Sequence, residues 1–155
     1  MRRQFVRREA GLTLIELLVV MMILSILATA VALSVVNKIH LAKVNSAKSD
    51  IATLEAALDQ YNLILGEYPT SEQGLIALVE PPSGVDPDKW RQAGPFIKKK
   101  NFNDPWGHEY AYTSPGSDGR PYDIVCLGAD GKPGGEGKDA DINSWELGRG
   151  EKASR

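Results

Sequence analysis

LTLIELLVVMMILSILATAVALSVV, residues 12–36, is a run of 25 residues whose only charge is Glu16. At ~1.5 Å of rise per residue, a helix of that length exceeds the ~30 Å hydrocarbon core of a bilayer. It is also longer than the ~7–15-residue apolar region of a cleavable signal peptide, although ATAVA at 28–32 resembles a small-residue cleavage site. An ionised carboxylate at membrane depth costs roughly 2.5–3.5 kcal/mol, so Glu16 needs a reason to be there. Ahead of the run, Arg2, Arg3, Arg7 and Arg8 stand against Glu9. That basic flank keeps the N-terminus cytoplasmic and sends the rest of the chain outward.

Beyond the run the pattern changes. Residues 37–69, NKIHLAKVNSAKSDIATLEAALDQYNLILGEYP, are polar overall but keep Val44, Ala47, Ile51, Leu54, Leu58, Tyr61 and Leu65 apolar. Steps alternating between three and four predict an amphipathic helix. No Pro or Gly separates the two segments, so one rod from Leu12 to Leu65 is expected, stopped by Gly66 and Pro69. Its outer half can lay the stripe on a globular domain. Its inner half has lipid, or copies of itself.

After Gly11 the chain carries 14 Lys+Arg against 19 Asp+Glu. An acidic body with no basic stripe argues against nucleic acid as a partner, and Lys98, Lys99 and Lys100 read as solvated surface. A single cysteine, Cys126, excludes an intrachain disulfide; within YDIVCLG it reads as a small buried hydrophobe.

The remainder predicts a small α+β body. Thr70 and Gln73 form a capping box ahead of a short helix through EQGLIALV, ended by Pro81 and Pro82. Residues 83–107 read as a loop, with Trp90, Phe96 and Trp106 as anchors packing on the long helix. EYAYTS (109–114) and PYDIVCLG (121–128) read as two antiparallel strands joined by PGSDGR. A lone hairpin is marginal, so it must rest on the helix.

Residues 127–145, LGADGKPGGEGKDADINSW, hold five glycines with the oxygen donors Asp130, Glu136, Asp139 and Asp141. Hard oxygen donors in a loop able to fold back on itself suit Ca²⁺, though not as an EF-hand; on spacing alone an acidic Gly-rich loop is more often just solvated. No G-x-S-x-G, H-E-x-x-H, P-loop or dinucleotide fingerprint is present. His40, His108 and Cys126 lack an orienting third group in sequence, so no enzyme is expected.

GLTLIELLVVMMILSILATAV resembles the class III signal of the type IV pilin-like family. GEYPTSEQGLIALVEPP, NDPWGHEYAY and LGADGKPGGEGKDADINSW narrow the resemblance to the major pseudopilins of the bacterial type II secretion system. The resemblance implies a pilin-like fold. It also implies cleavage by a prepilin peptidase between Gly11 and Leu12, with N-methylation of Leu12, where Leu replaces the usual Phe. The new ammonium then lies one helical turn from Glu16, and in a filament of staggered copies it pairs with a neighbour's Glu16 and sets the register; a pair within one helix, or a protonated glutamate near the interface, is the alternative. The resemblance further implies a structural Ca²⁺. The side chains of Asp130, Asp139 and Asp141 are its candidate ligands, with the carbonyls of Leu127 and Asn143; Glu136 is left out.

The expected organisation is a leader (1–11), a transmembrane or filament-core half-helix (12–36), a periplasmic globular domain (37–145) and a tail (146–155). The expected protein is a non-enzymatic inner-membrane, single-pass subunit of a periplasmic homopolymer. Its partners would be minor pseudopilins, the prepilin peptidase and an inner-membrane assembly platform, and its role export of folded proteins. Two alternatives stand beside this: a type IV pilin for adhesion or DNA uptake, which often carries a C-terminal disulfide loop, and a membrane-anchored Ca²⁺-dependent domain that never polymerises.

Overall fold

The computed structural model describes residue 11, residues 13–98 and residues 101–147, with residues 30–37 as backbone alone. The leader before Gly11, Leu12, Lys99, Lys100 and residues 148–155 lie outside the described residues. The chain divides into two compact units, one ending at Ile39 and one beginning at His40.

Helix α1 runs Leu14–Leu65. Gly66, at φ 93°, ends it by donating its N–H to the Asn62 carbonyl at 2.8 Å. A left-handed φ is open to glycine without a Cβ penalty, which is why the rod stops there. In the first unit every large apolar side chain from Leu14 to Leu27 is 44–84% exposed, on all faces of the helix. In the second unit Ala47, Ile51, Leu54, Leu58 and Tyr61 are buried, with Val44 and Leu65 packed at the margins. Burying each large member of that stripe stabilises the domain by roughly 1.5–3 kcal/mol. Among the described residues no helix is long and apolar enough to cross a membrane; the 12–36 segment includes Leu12 and the side chains of 30–36, which lie outside that set.

Thr70 and Gln73 close the expected capping box. The Thr70 N–H donates to Gln73 Oε1 at 2.9 Å, and the Gln73 N–H to Thr70 Oγ1 at 3.2 Å. The chain then makes a single 3₁₀ turn, Leu75–Leu78, rather than a longer helix, because Gly74 sits at φ 59° and breaks the rod at its start. A correction concerns the stretch expected to be a loop: it contains helix α2, Pro87–Ala93. Asp86 caps it by accepting the Asp88 N–H at 2.9 Å, with Pro87 at the first helical position. Only Trp90 of that helix is buried, so no apolar period announces it. Trp90 donates its Nε1–H to the Ala77 carbonyl at 3.0 Å and meets Phe96 edge-on; Phe96 in turn lies 5.1 Å from the Tyr61 ring of α1.

Strands β1 (Ala111–Thr113) and β2 (Asp123–Cys126) form the expected hairpin, Ala111 opposite Val125. A third strand goes beyond that expectation: β3, Ile142–Asn143, adds antiparallel to β2, giving the order β1-β2-β3. Two residues are too short to carry an alternation. Helix α3, Ser144–Leu147, comes next, and Ser144 Oγ accepts the Ile124 N–H at 3.1 Å. Ile124, Cys126, Ile142 and Tyr110 join the α1 stripe, Leu75, Leu78 and Trp90 in one core.

Candidate functional site

Cys126 and Ile142 are paired across β2 and β3, so residues 127–141 form a closed excursion between two sheet partners. The loop is folded on its own main chain. The Ala129 N–H donates to the Lys138 carbonyl at 3.3 Å, and the Asp139 N–H to that of Glu136 at 3.2 Å. Gly128 (φ 66°) and Gly135 (φ 89°) both close on the Asp139 carbonyl: a Cβ would fall 2.8 Å from its oxygen at Gly128 and 2.5 Å at Gly135. Only glycine fits either place, so these two glycines build a cradle around a carbonyl oxygen.

Asp141 is the loop carboxylate brought inward. Its Oδ2 accepts the Gly134 N–H at 2.8 Å, while its Oδ1 is buried with no hydrogen-bond partner. A buried carboxylate oxygen left without a donor carries a desolvation penalty of about 1–3 kcal/mol or more. Asp130 is exposed, its Oδ1 taken by the Lys132 N–H at 3.1 Å. Asp139 is half-buried and turns its carbonyl into the glycine cradle. Asn143 lies in β3 opposite Val125, its side-chain amide donating to Glu146 at 3.1 Å, and Leu127 comes directly after β2, half-buried. Among the described residues no group of three or more His, Cys, Asp or Glu side chains converges as a metal cluster. Asp130, Asp139 and Asp141 are therefore not gathered by their side chains. The oxygen whose chemistry suits a hard cation is the orphaned Asp141 Oδ1.

A second node lies beneath the loop. Asp104, buried, accepts the N–H groups of Trp106, Gly107 and His108 on one oxygen at 2.8–2.9 Å. Its other oxygen accepts the Cys126 thiol at 3.3 Å and lies 3.7 Å from His108 Nδ1. Gly131 reaches this node from the loop; a Cβ there would sit 2.7 Å from His108 Nε2. Cys126, His108 and a carboxylate are thus brought together, but not as a catalytic triad. Burial pushes the thiol up to about 12 and the Asp104 carboxylate opposes its ionisation, so no thiolate nucleophile forms near neutrality. Asp104 is not among the residues that the sequence singles out; its signal is the Asp-Pro-x-Gly of a side-chain-closed turn.

At the other end, the Glu16 N–H donates to Thr13 Oγ1 at 3.3 Å in the first turn of α1. Among the described residues no cation pairs with the Glu16 carboxylate, and Leu12 lies outside them.

Residues 34–145 match the family model described as type II secretion system protein G, and residues 6–32 the prokaryotic N-terminal methylation motif. The chain belongs to the protein G family of the type II secretion system. It is 48% identical over 141 residues to type II secretion system core protein G of Pseudomonas aeruginosa, covering 90% of this chain and 97% of that one. Against the Vibrio cholerae core protein G the identity is 45%, covering 91% and 94%. The fold is similar to the crystal structure of the major pseudopilin of enterohaemorrhagic Escherichia coli, with a TM-score of 0.58 and 38% identity. That likeness covers 72% of this chain and 93% of the other. None of these relatives is named for a catalytic activity. The family match favours the pseudopilin over the adhesive or DNA-uptake pilin, and it ends at Trp145, within α3.

Proposed function

We propose that this protein G family member is the repeating subunit of a periplasmic pseudopilus, assembled from membrane-held copies and used to push folded proteins through an outer-membrane channel. The observation that carries this reading is the first unit of α1. It offers apolar side chains on every face and one carboxylate, Glu16, which no described residue of the same chain neutralises. A helix of that kind is stable in lipid or among copies of itself. Identical chains meeting through heterologous contacts that do not close generate a helical filament.

In this reading cleavage between Gly11 and Leu12, with methylation of Leu12, creates the ammonium that meets Glu16 of the neighbouring copy. Minor pseudopilins, a prepilin peptidase and an inner-membrane assembly platform are the implied partners. The subunit catalyses nothing. Mass spectrometry of the mature chain tests the processing: cleavage after Gly11 with one added methyl group is the expected result. Glu16→Ala is expected to insert and be cleaved normally but form no pseudopili; normal pseudopili from that variant would refute the register role.

A structural Ca²⁺ belongs to the same proposal, at the loop 127–143. Asp141 would hold it through the oxygen that lacks a donor, with Asp130, Asp139 and the carbonyls of Leu127 and Asn143 as further candidates. The ion would supply charge neutralisation and order to a loop with little apolar area of its own, so its binding becomes folding free energy. Glu136 stays outside the set, its carbonyl occupied within the loop.

A further inference from the structure

Helix α1 passes without a break from the apolar run that ends at Val36 to His40, Leu41 and Lys43. On the second unit His40 and Lys43 meet Trp106, which packs at the margin of the core. The His40 ring lies 6.3 Å from the Trp106 ring, and Lys43 Nζ lies 5.8 Å over it. All three are half-buried, not sealed, and Leu41 beside them is 59% exposed. Among the described residues neither Lys43 nor His40 is paired with a carboxylate. Asp104, the nearest acid in sequence to Trp106, is buried, one oxygen taken by three turn amides and the other by the Cys126 thiol.

The Trp106 main-chain N–H donates to Asp104 Oδ1 at 2.8 Å, which closes the turn that carries the indole. An amphipathic aromatic ring, an unpaired lysine, an imidazole and an exposed leucine are the chemistry of a membrane–water interface. Position along the chain points the same way. His40 and Lys43 are the fourth and seventh residues after the apolar run, the stretch of chain in which interfacial anchors follow a membrane-held segment.

We propose that His40, Leu41, Lys43 and Trp106 form an interfacial anchor that binds the phosphate of an anionic phospholipid in the outer leaflet of the membrane from which subunits are drawn. The proposal rests on the membrane-held state described above. The anchor holds the unassembled subunit at a set depth and must be given up when the subunit leaves the bilayer. Lys43 supplies the positive charge, His40 a ring N–H donor, Leu41 the shallow apolar contact and Trp106 the platform that orients Lys43.

The mature full-length chain, reconstituted in vesicles of phosphatidylglycerol and phosphatidylcholine, tests it with a headgroup-nitroxide lipid as quencher of tryptophan fluorescence. Flotation reports insertion and quenching reports the anchor. Trp106→Phe is expected to lose more than half of the quenching, whereas Trp145→Phe keeps it. Lys43→Gln, which leaves the indole in place, is expected to abolish the difference between mixed vesicles and phosphatidylcholine alone. Unchanged quenching in Trp106→Phe, while the chain floats with the vesicles, would overturn the anchor and leave the membrane-held state intact. Equal quenching of the wild type in both lipids would overturn the anionic phosphate as its ligand. A chain that does not float overturns the membrane-held state and the anchor with it.

Discussion

The turn 103–108 and the loop 127–141 are built from the same materials: glycine, proline, and one carboxylate turned inward. They end differently. Asp104 finds three amides within its own turn and a thiol from β2, so the turn is closed by its own donors. Asp141 finds one amide and keeps a buried oxygen with nothing to accept. A buried carboxylate costs free energy unless its lone pairs are met, and the two regions differ in whether the chain itself meets them. The first is self-sufficient. The second is left with an oxygen that its own chain does not meet.

The largest effect is expected at the self-sufficient turn. Asp104→Ala strands three amide N–H groups and a thiol, and is expected to destabilise the detergent-solubilised chain by about 3 kcal/mol or more in chemical denaturation. A loss under ~1 kcal/mol would mean that the turn does not depend on its carboxylate.

The loop is expected to respond next, and to an ion. Calcium at 100 times its Kd stabilises by about 2.7 kcal/mol, which for the globular part corresponds to a rise in Tm of about 10 °C or more. EDTA is expected to reverse it, and a melting curve blind to both would erase the contrast with the turn.

Asp141→Asn sharpens the comparison. It is expected to abolish the calcium response while raising the ion-free Tm by a few degrees, because a neutral amide relieves the unmet charge. An equivalent response in Asp104→Asn would show that the ion acts elsewhere.

Asp123 gives the smallest effect and an intermediate case. Hydrogen bonds from the Arg120 guanidinium, at 2.6 Å from Nε, and from the Ser117 N–H, at 2.7 Å, hold its carboxyl below the ordinary aspartate value. A lowered folded pKa means that this stability is fully present above the unfolded value near ~3.9 and is lost as pH falls through the lower folded one. Asp123→Asn is therefore expected to flatten the fall in Tm below about pH 4 and to leave its slope above pH 5 unchanged.

Periodicity carries most of what is legible. The stripe Val44 to Leu65 announces α1 because apolar side chains must lie on one face to be buried together, and the chain then stops at Gly66. Thr70 with Gln73 announces a cap, since both partners lie within three residues. The elements that escape are either too short for a period, as with β3, or buried at one point only, as with Trp90 in α2. The loop shows the same division. Its five glycines and four acids are visible as a composition, but which carboxylate faces inward is not. That depends on Gly128 and Gly135 folding around the Asp139 carbonyl.

By itself the sequence determined the long helix, its change from uniformly apolar to one-sided, the lone Glu16 and the motifs that carry family membership, because each is a local or periodic property of the chain. Only the tertiary structure decided that Asp104 gathers Cys126 and His108, that Asp141 is left with an unmet oxygen, and that Trp106 rests on His40 and Lys43. Those relations join residues up to 66 positions apart, and it is the packing of β2, β3 and the turns against the α1 stripe that brings them within reach.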